Sequence, residues 1–243
     1  MHNRFLTLSI SLLLPFFLFA QSSYRDTAFT EAFRQFGPGW NAGDGSISML
    51  LPDGSSLWMF GDSYIGSVDA MNEMACLFEV RSAVAIQDKD DISLFTTLES
   101  DDQTDQYTKQ IVQKSGDNMV TYWPAAGFMH NDTIHTFWSR FEHDTNYTWN
   151  LRFDGMVIAK LTYPDFELAS VDLMQQTDLD REWGNAYIRD EEAGYYYLYG
   201  KGTYDFVVRP FVARCPLDGL LGTWEFYTGS GWTTDLNLSL IHI

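Results

Sequence analysis

The stretch Gly39–Gly66 reads GWNAGDGSISMLLPDGSSLWMFGDSYIG, and it decides the fold class of this chain. Two short apolar runs, Ser46–Leu51 and Leu57–Phe60, flank the tripeptide Pro52-Asp53-Gly54. This tripeptide favours a turn because proline presets φ and glycine accepts a positive φ. Short apolar runs on either side of such a turn predict a β-hairpin.

Two carboxylates lie at the ends of the predicted hairpin strands. Asp44 stands between Gly43 and Gly45, and Asp62 follows Gly61. Glycine beside an acid lets a ligand or another backbone segment approach the carboxylate closely. Each acid alone is also typical of a turn cap, so a structural role stays open. Two such acids in one hairpin, with aromatic neighbours, indicate a site of the kind that handles sugars.

Aromatic, strand-like runs recur along the chain, and helical periodicity is nearly absent after residue 20. This pattern predicts one all-β domain over residues 21–237. Three units open with tryptophan and small residues, at Trp40, Trp123 and Trp183, and each continues with a strand, an acidic turn and an aromatic strand. The repeat favours four-stranded blades arranged radially, as in a β-propeller. A two-sheet sandwich is the alternative.

The segment Met1–Ala20 has a positive start, an apolar core and a small residue before Gln21, which predicts a signal peptide. We therefore expect a secreted or periplasmic protein with no membrane insertion after cleavage. The formal net charge of −18 argues against nucleic acid as a partner. The two cysteines, Cys76 and Cys215, can pair in an oxidising compartment, and the sequence leaves that pairing open.

The final residues, Leu238–Ile243, match the in-frame translation of a common transposon-based sequencing adaptor. We therefore expect the protein's own sequence to end at residue 237 in this chain. Under that expectation this chain is truncated at its C-terminus, and we expect the full-length protein to be a monomer.

The block Gly43–Asp62, together with Trp183–Ala186, Tyr195–Gly200 and Val212–Trp224, resembles a family of exported bacterial proteins. This family is the domain of unknown function numbered 4185, and its near relative is numbered 5005. Both are similar to the five-bladed β-propeller glycosidases of the arabinanase, xylosidase and invertase group. The resemblance implies an all-β, five-bladed β-propeller-like fold, of which this chain holds about three blades.

In that glycosidase group, a first-blade carboxylate acts as base or nucleophile, and a third-blade acid protonates the leaving oxygen. Carried over by position, the resemblance implies the first role for Asp44 and the second for Glu182, with Asp62 assisting. The second unit, Tyr122–Phe128, lacks the aspartate that the group carries there. This difference keeps a non-catalytic protein open as an alternative.

Four side chains are predicted to bind the substrate. The indole rings of Trp40, Trp123 and Trp183 would stack on sugar rings, and Arg140 would bind a carboxylate or hydroxyl group. Packing between blades, or an ion pair in the case of Arg140, is the alternative role for each. The predicted function is glycoside hydrolysis of a poly- or oligosaccharide with no cofactor and no catalytic metal. The alternative is a carbohydrate- or surface-binding propeller, whose channel carboxylates hold the fold together or bind Ca²⁺.

Overall fold

The structure is a computed structural model, and it describes residues 23–68, 71, 80–99, 112, 120–174, 181–204 and 207–239. The predicted signal peptide, Cys76 and residues 240–243 lie outside the described residues. All statements below concern the described part of the chain.

The secondary structure is dominated by strands. A short helix, α1 (Thr27–Ala32), precedes them, and none of the helices in the described ranges is long and apolar enough to span a membrane. The strands are β1 (Trp40–Gly43), β2 (Ile47–Leu50), β3 (Ser56–Phe60), β4 (Ser63–Ile65), β5 (Ala83–Gln87), β6 (Phe95–Leu98), β7 (Val120–His130), β8 (Thr133–His143), β9 (Leu151–Thr162), β10 (Leu168–Leu173), β11 (Arg181–Asp190), β12 (Tyr195–Tyr204), β13 (Val207–Pro216), β14 (Glu225–Tyr227) and β15 (Trp232–Thr233).

The strands form three antiparallel meanders. We name them sheet 1 (β2-β3-β5-β6), sheet 2 (β7-β8-β9-β10) and sheet 3 (β11-β12-β13-β14-β15), and a separate two-stranded sheet pairs β1 with β4. The first strand of sheet 2, β7, contacts the first strands of the other two sheets, β2 and β11. Sequential meanders of four or five strands with their first strands together make a propeller-like fold. The predicted all-β, propeller-like class is confirmed.

Sheet 2 is buried on both of its faces. Successive residues of a strand point to opposite sides of the sheet, so neighbours enter different cores. On β8, Phe137 joins the cluster that contains Trp183 of sheet 3, and Trp138 joins the cluster that contains Leu57 of sheet 1. The residues of β9 alternate in the same way: Met156 and Ile158 face sheet 3, and Val157 and Ala159 face sheet 1.

The predicted hairpin is present as β2 and β3, which pair in antiparallel register from Ile47 opposite Met59 to Leu50 opposite Ser56. Its turn is fixed by Asp53, whose Oδ1 accepts hydrogen bonds from the backbone N–H and the hydroxyl of Ser55. This local network explains why turn chemistry alone located the hairpin.

The three tryptophan openings are not equivalent in the structure. Trp123 lies on β7 and Trp183 on β11, the first strands of their sheets. Trp40 lies on β1, outside sheet 1, and stacks on Phe60 with ring centroids 4.0 Å apart. Sheet 1 therefore begins after the first opening, at β2.

Cys215 has no disulfide partner among the described residues, which do not include Cys76, and it has no exposed surface in the core of sheet 3. Burial raises the pKa of this thiol to about 12. The group is therefore protonated at neutral pH and is a poor nucleophile.

Gly184 is the most constrained glycine of the interface between sheets 2 and 3. Its φ is +80°, and a Cβ atom there would overlap the ring of Phe137. We expect Gly184→Ala to lower the free energy of unfolding by at least about 2 kcal/mol, because left-handed strain adds to a core clash. Urea denaturation measures this change.

Gly194→Ala is the matched control. Gly194 has a φ of +77°, and a Cβ atom there would have no neighbour within 4 Å, so only backbone strain of about 1 kcal/mol is expected. Equal losses in the two variants would contradict close packing between sheets 2 and 3.

Candidate functional site

The start of sheet 1 brings Asp44 and Asp62 side by side. The Asp44 N–H donates to the Asp62 carbonyl oxygen at 3.2 Å, and the Gly61 N–H donates to the Asp44 carbonyl oxygen at 2.8 Å. Gly61 is needed here because a Cβ atom would overlap the Asp44 carboxylate. Both acids line a cavity of ≈ 530 Å³, the acid pocket, whose lining residues are Asp44, Asp62, Arg81, Trp123, Trp149 and Leu151.

The two acids have opposite electrostatic surroundings. Asp62 is 8% exposed, and its Oδ1 accepts from Arg81 Nη1 at 3.3 Å and from Trp123 Nε1 at 3.4 Å. Both donors stabilise a negative charge on Asp62. Asp44 is open to solvent on one side and has no ion pair among the described residues. Partial burial, and next the negative charge of Asp62, raise the pKa of Asp44 above its ordinary value.

Two tryptophans complete the acid pocket. Trp149 is 80% exposed and lies in the 3₁₀ turn Thr148–Asn150 with a φ of +58°. Trp123 is partly buried, and its ring lies 4.5 Å from that of Phe141. The pocket therefore combines a pair of carboxylates with indole faces that can cover a ring-shaped ligand.

Glu182 lines a different cavity of ≈ 390 Å³, the Glu182 pocket, with Phe153, Arg181, Lys201, Gly202, Thr203 and Val208. Its Oε2 accepts from the Ser139 hydroxyl at 3.3 Å and lies 3.2 Å from the Lys201 ammonium. The structure therefore brings Asp44 and Asp62 into one pocket and places Glu182 in another.

The acid pocket and the Glu182 pocket are neighbours. Trp123, which lines the first, is the cross-strand partner of Ser139, which bonds to Glu182 in the second. A row of rings also joins them, because Phe141 lies 4.5 Å from Trp123 and 5.5 Å from Phe153, measured between centroids. One layer of side chains therefore separates the two cavities.

The other predicted sugar-binding residues have structural surroundings. Trp40 is 5% exposed and Trp183 is fully buried, so neither ring has a free face for stacking on a sugar. Arg140 forms ion pairs with Asp154 and, at 3.1 Å, with Glu142. For these three residues the structure has the packing and ion-pair contacts that the sequence left open as alternatives.

Sequence reasoning missed several residues of the two pockets. No local sequence pattern identifies Arg81 or Lys201 as a pocket residue. Each of them lies beside an acid, Asp62 or Glu182, only once the chain is folded. Trp149 had a usable signal, since it is a large aromatic residue in the polar segment Asp144–Asn150. An aromatic residue in a polar loop is typical of a ligand-contacting position.

The acid pocket offers few ligands for the Ca²⁺ that the alternative, non-catalytic protein would bind. Calcium takes about six to eight oxygen ligands. The pocket offers two carboxylates, and a guanidinium lies 3.3 Å from one of them. Across the described ranges, no group of three or more His, Cys, Asp or Glu residues is arranged to hold a metal ion.

The fold and the pockets define an all-β, propeller-like protein with a pair of carboxylates at the start of its first sheet. The chain belongs to the family described as "Domain of unknown function (DUF5005)", whose model matches residues 26–239. This is the family named above as the near relative, and the resemblance to family 4185 stays a prediction. A search of curated protein sequences finds no match.

Two solved structures are similar to the chain. A candidate hydrolase from Bacteroides ovatus ATCC 8483 matches with a TM-score of 0.66 and 23% identity over 87% of this chain and 58% of that chain. A xylan β-1,4-xylosidase from Bacillus halodurans C-125 matches with a TM-score of 0.30 and 12% identity over 79% of this chain and 42% of that chain. The first likeness supports the fold alone. The chain spans little more than half the length of the Bacteroides protein.

Asp44→Asn tests the electrostatics of the acid pocket. Because the folded state raises the pKa of Asp44, the folded protein holds this proton more tightly than the unfolded chain. The ionised side chain therefore destabilises the fold above its raised pKa. We expect the neutral asparagine to raise the melting temperature near pH 7, with a smaller gain at about pH 3, where aspartate is protonated in both states.

Asp90→Asn is the control, since Asp90 is exposed on the turn between β5 and β6. It should leave the melting temperature unchanged at both pH values. A lower melting temperature of Asp44→Asn near pH 7 would mean that the negative charge of Asp44 stabilises the fold, against this account.

Proposed function

We propose that this protein is a secreted or periplasmic glycoside hydrolase that acts on a poly- or oligosaccharide through the acid pocket. The observation that carries the proposal is the pairing of Asp44 and Asp62, two adjacent carboxylates with opposite surroundings, beside Trp123 and Trp149. Glycosidic bonds are hydrolysed by one protonated and one ionised carboxyl group. The raised pKa of Asp44 supports the acid role for this residue, and the ion pair of Asp62 with Arg81 supports the other role for Asp62.

Asp44 acts as the general acid in this proposal. Its pKa is raised above the ordinary value, and this shift favours the protonated form that a general acid needs. Asp62, held by Arg81 and the Trp123 indole, acts as base or nucleophile, and one water molecule is consumed as the bond breaks. This assignment changes the role that the family resemblance implied for Asp44, because burial and the neighbouring charge favour its protonated form.

The tryptophans supply the binding surface. Indole faces stack on the apolar faces of sugar rings, and Trp149 presents a largely free face at the pocket. The ≈ 530 Å³ volume lies within the range of about 300–1,000 Å³ typical of small-ligand sites. Both features suit part of a glycan chain, with further units extending into solvent.

A non-catalytic glycan-binding protein is the second candidate. The observation that favours it is the position of Glu182, the acid implied by the family resemblance, which is paired with Lys201 in a separate pocket. In that case the acid pocket binds sugar without breaking a bond.

The experiment is a sugar-release screen with the mature full-length protein on plant, algal and host polysaccharides. We expect Asp44→Asn and Asp62→Asn each to lower kcat by at least about 100-fold, since each removes an acid or base from the reaction. Asp90→Asn is the control for loss of an exposed carboxylate and should keep full activity.

Glu182→Gln separates the two assignments of the acid. A loss of kcat as large as that of Asp44→Asn would return the acid role to Glu182. No release on any glycan, combined with saturable glycan binding in calorimetry, would replace the hydrolase with the binding protein.

Gly61→Ala tests the position of Asp44 without changing any acid. The new methyl group would occupy space now filled by the Asp44 carboxylate, so the carboxylate must move. We expect a loss of more than about tenfold in kcat, because small displacements of a catalytic group are costly.

Gly231→Ala is the control, because no atom lies within 4 Å of a Cβ at Gly231. It should retain full kcat. Full kcat in Gly61→Ala with an unchanged melting temperature would exclude a catalytic role for Asp44 in its present position.

A further inference from the structure

An ion-pair network lies on the hairpin of β8 and β9, next to the loop that carries Trp149 into the acid pocket. Its members are Arg140, Glu142, Asp144, Arg152 and Asp154. Arg152 Nη2 lies 2.6 Å from Glu142 Oε2, and Arg152 Nη1 lies 3.5 Å from Asp154 Oδ1. Arg140 pairs with the same two carboxylates. These four side chains therefore form a closed ring of alternating charge.

The ring joins the two strands at the end of their hairpin. Glu142 is the cross-strand partner of Arg152, and Arg140 lies opposite Gly155, with a shift of register at Asp154. The side chain of Arg140 is 17% exposed and that of Arg152 is 30% exposed, so solvent screens these pairs less than pairs on an open surface. Charges joined in a network also stabilise more than isolated surface pairs do.

Arg152 connects this ring to the Trp149 loop (residues 144–150). Its Nε lies 3.6 Å from Asp144 Oδ2, and Asp144 Oδ1 accepts hydrogen bonds from the N–H and the Nδ2 of Asn146 at 3.0 and 2.9 Å. The Asp144 N–H donates to the Asn150 carbonyl oxygen at 2.9 Å, which closes the loop at its other end. Asp144 therefore holds the loop through its backbone and its side chain, and Arg152 holds Asp144.

The loop keeps Trp149 in an unfavourable backbone conformation. Trp149 and Asn150 both have a φ of +58°, in the left-handed region that bulky residues rarely adopt. Such residues persist only where the surrounding structure holds them, and they cluster at functional sites. Trp149 is 80% exposed, so packing of its own ring contributes little. The hydrogen bonds of the loop and the ion pair with Arg152 are the contacts that oppose this strain.

We propose that Arg152 is a positioning residue, which holds Trp149 at the acid pocket so that its indole can bind a sugar ring. The inference rests on the proposed function, in which this indole covers part of the glycan. Arg152 is not among the residues that line the acid pocket, so it acts on the ligand through the loop. Without Arg152, the three carboxylates of the network share one cation, Arg140, and their mutual repulsion favours opening of the loop.

The first test separates binding from catalysis. With a glycan that the mature full-length protein cleaves, we expect Arg152→Ala to raise KM about tenfold and to change kcat less than about twofold, because it displaces a binding ring and no reacting group. Arg152→Lys should recover part of this loss, since lysine keeps the charge but lacks the fork that reaches several carboxylates. An unchanged KM in Arg152→Ala, or a larger effect on kcat than on KM, would overturn the inference.

The second test needs no substrate, so it separates a failure of this inference from a failure of the proposed function. The protein is labelled with ¹⁵N-tryptophan, and Trp149→Phe identifies the indole signal of Trp149 among those of the eight tryptophans of this chain. We expect a high ¹H–¹⁵N heteronuclear NOE for this indole in the wild-type protein and a clear decrease in Arg152→Ala, because the loop gains fast motion.

Arg189→Ala is the matched control. Arg189 lies on β11 with a side chain that is 35% exposed, and it pairs with Glu191 at 3.3 Å. This variant should leave KM and the indole NOE unchanged. Asp144→Asn gives the same test should Arg152→Ala fail to fold. It keeps a side-chain acceptor for Asn146, removes the charge that pairs with Arg152, and should also lower the NOE.

The NOE of the Trp149 indole decides the inference whether or not a glycan is cleaved. A decrease in Arg152→Ala and Asp144→Asn, with no change in Arg189→Ala, would support it even if no glycan is cleaved. A low NOE in the wild-type protein, or an unchanged NOE in both loop variants, would contradict it even if sugar is released.

Discussion

The burial of sheet 2 on both faces is the constraint on which the rest of the structure depends. The side chains of β8 and β9 alternate between two cores, with Phe137 facing sheet 3 and Trp138 facing sheet 1. Many antiparallel sheets expose one polar face to solvent, but this sheet has apolar side chains on both faces and cannot do so. Sheets 1 and 3 must therefore cover it from opposite sides, and stacked meanders of this kind give the propeller-like arrangement.

The same stacking creates the pockets. When three meanders stack with their first strands together, the segments that enter β2, β7 and β11 approach one another. Asp44 precedes β2, Trp123 lies early on β7, and Glu182 is the second residue of β11. Trp123 contacts Asp62 on one side and pairs in register with Ser139, the partner of Glu182, on the other. Trp123 on β7 thus lines the acid pocket, and its cross-strand partner Ser139 on β8 bonds to Glu182, which lines the other pocket.

What the sequence could predict was local. The hairpin and the neighbouring Asp44 and Asp62 follow from a Pro-Asp-Gly turn and from glycines within a few residues, so short-range rules located them. The burial of Trp40 and Trp183 could not be predicted from local sequence. A tryptophan beside small residues has the same pattern in a sugar platform and in a core, and only the neighbouring sheet decides between them. Arg81 is also determined by tertiary contacts, since its partner Asp62 lies 19 positions earlier.

The few basic residues are distributed unevenly among the three predicted acids. The chain has 15 basic residues against 33 acidic ones, so most carboxylates lack a cation of their own. In the described residues, Asp62 has Arg81 and Glu182 has Lys201, whereas Asp44 has no ion pair. Partial burial, and next the negative charge of Asp62, raise the pKa of Asp44 above its ordinary value. The proposed function needs one carboxyl group that donates a proton and one that is ionised, and the two ends of the hairpin hold two carboxyl groups, Asp44 and Asp62, side by side.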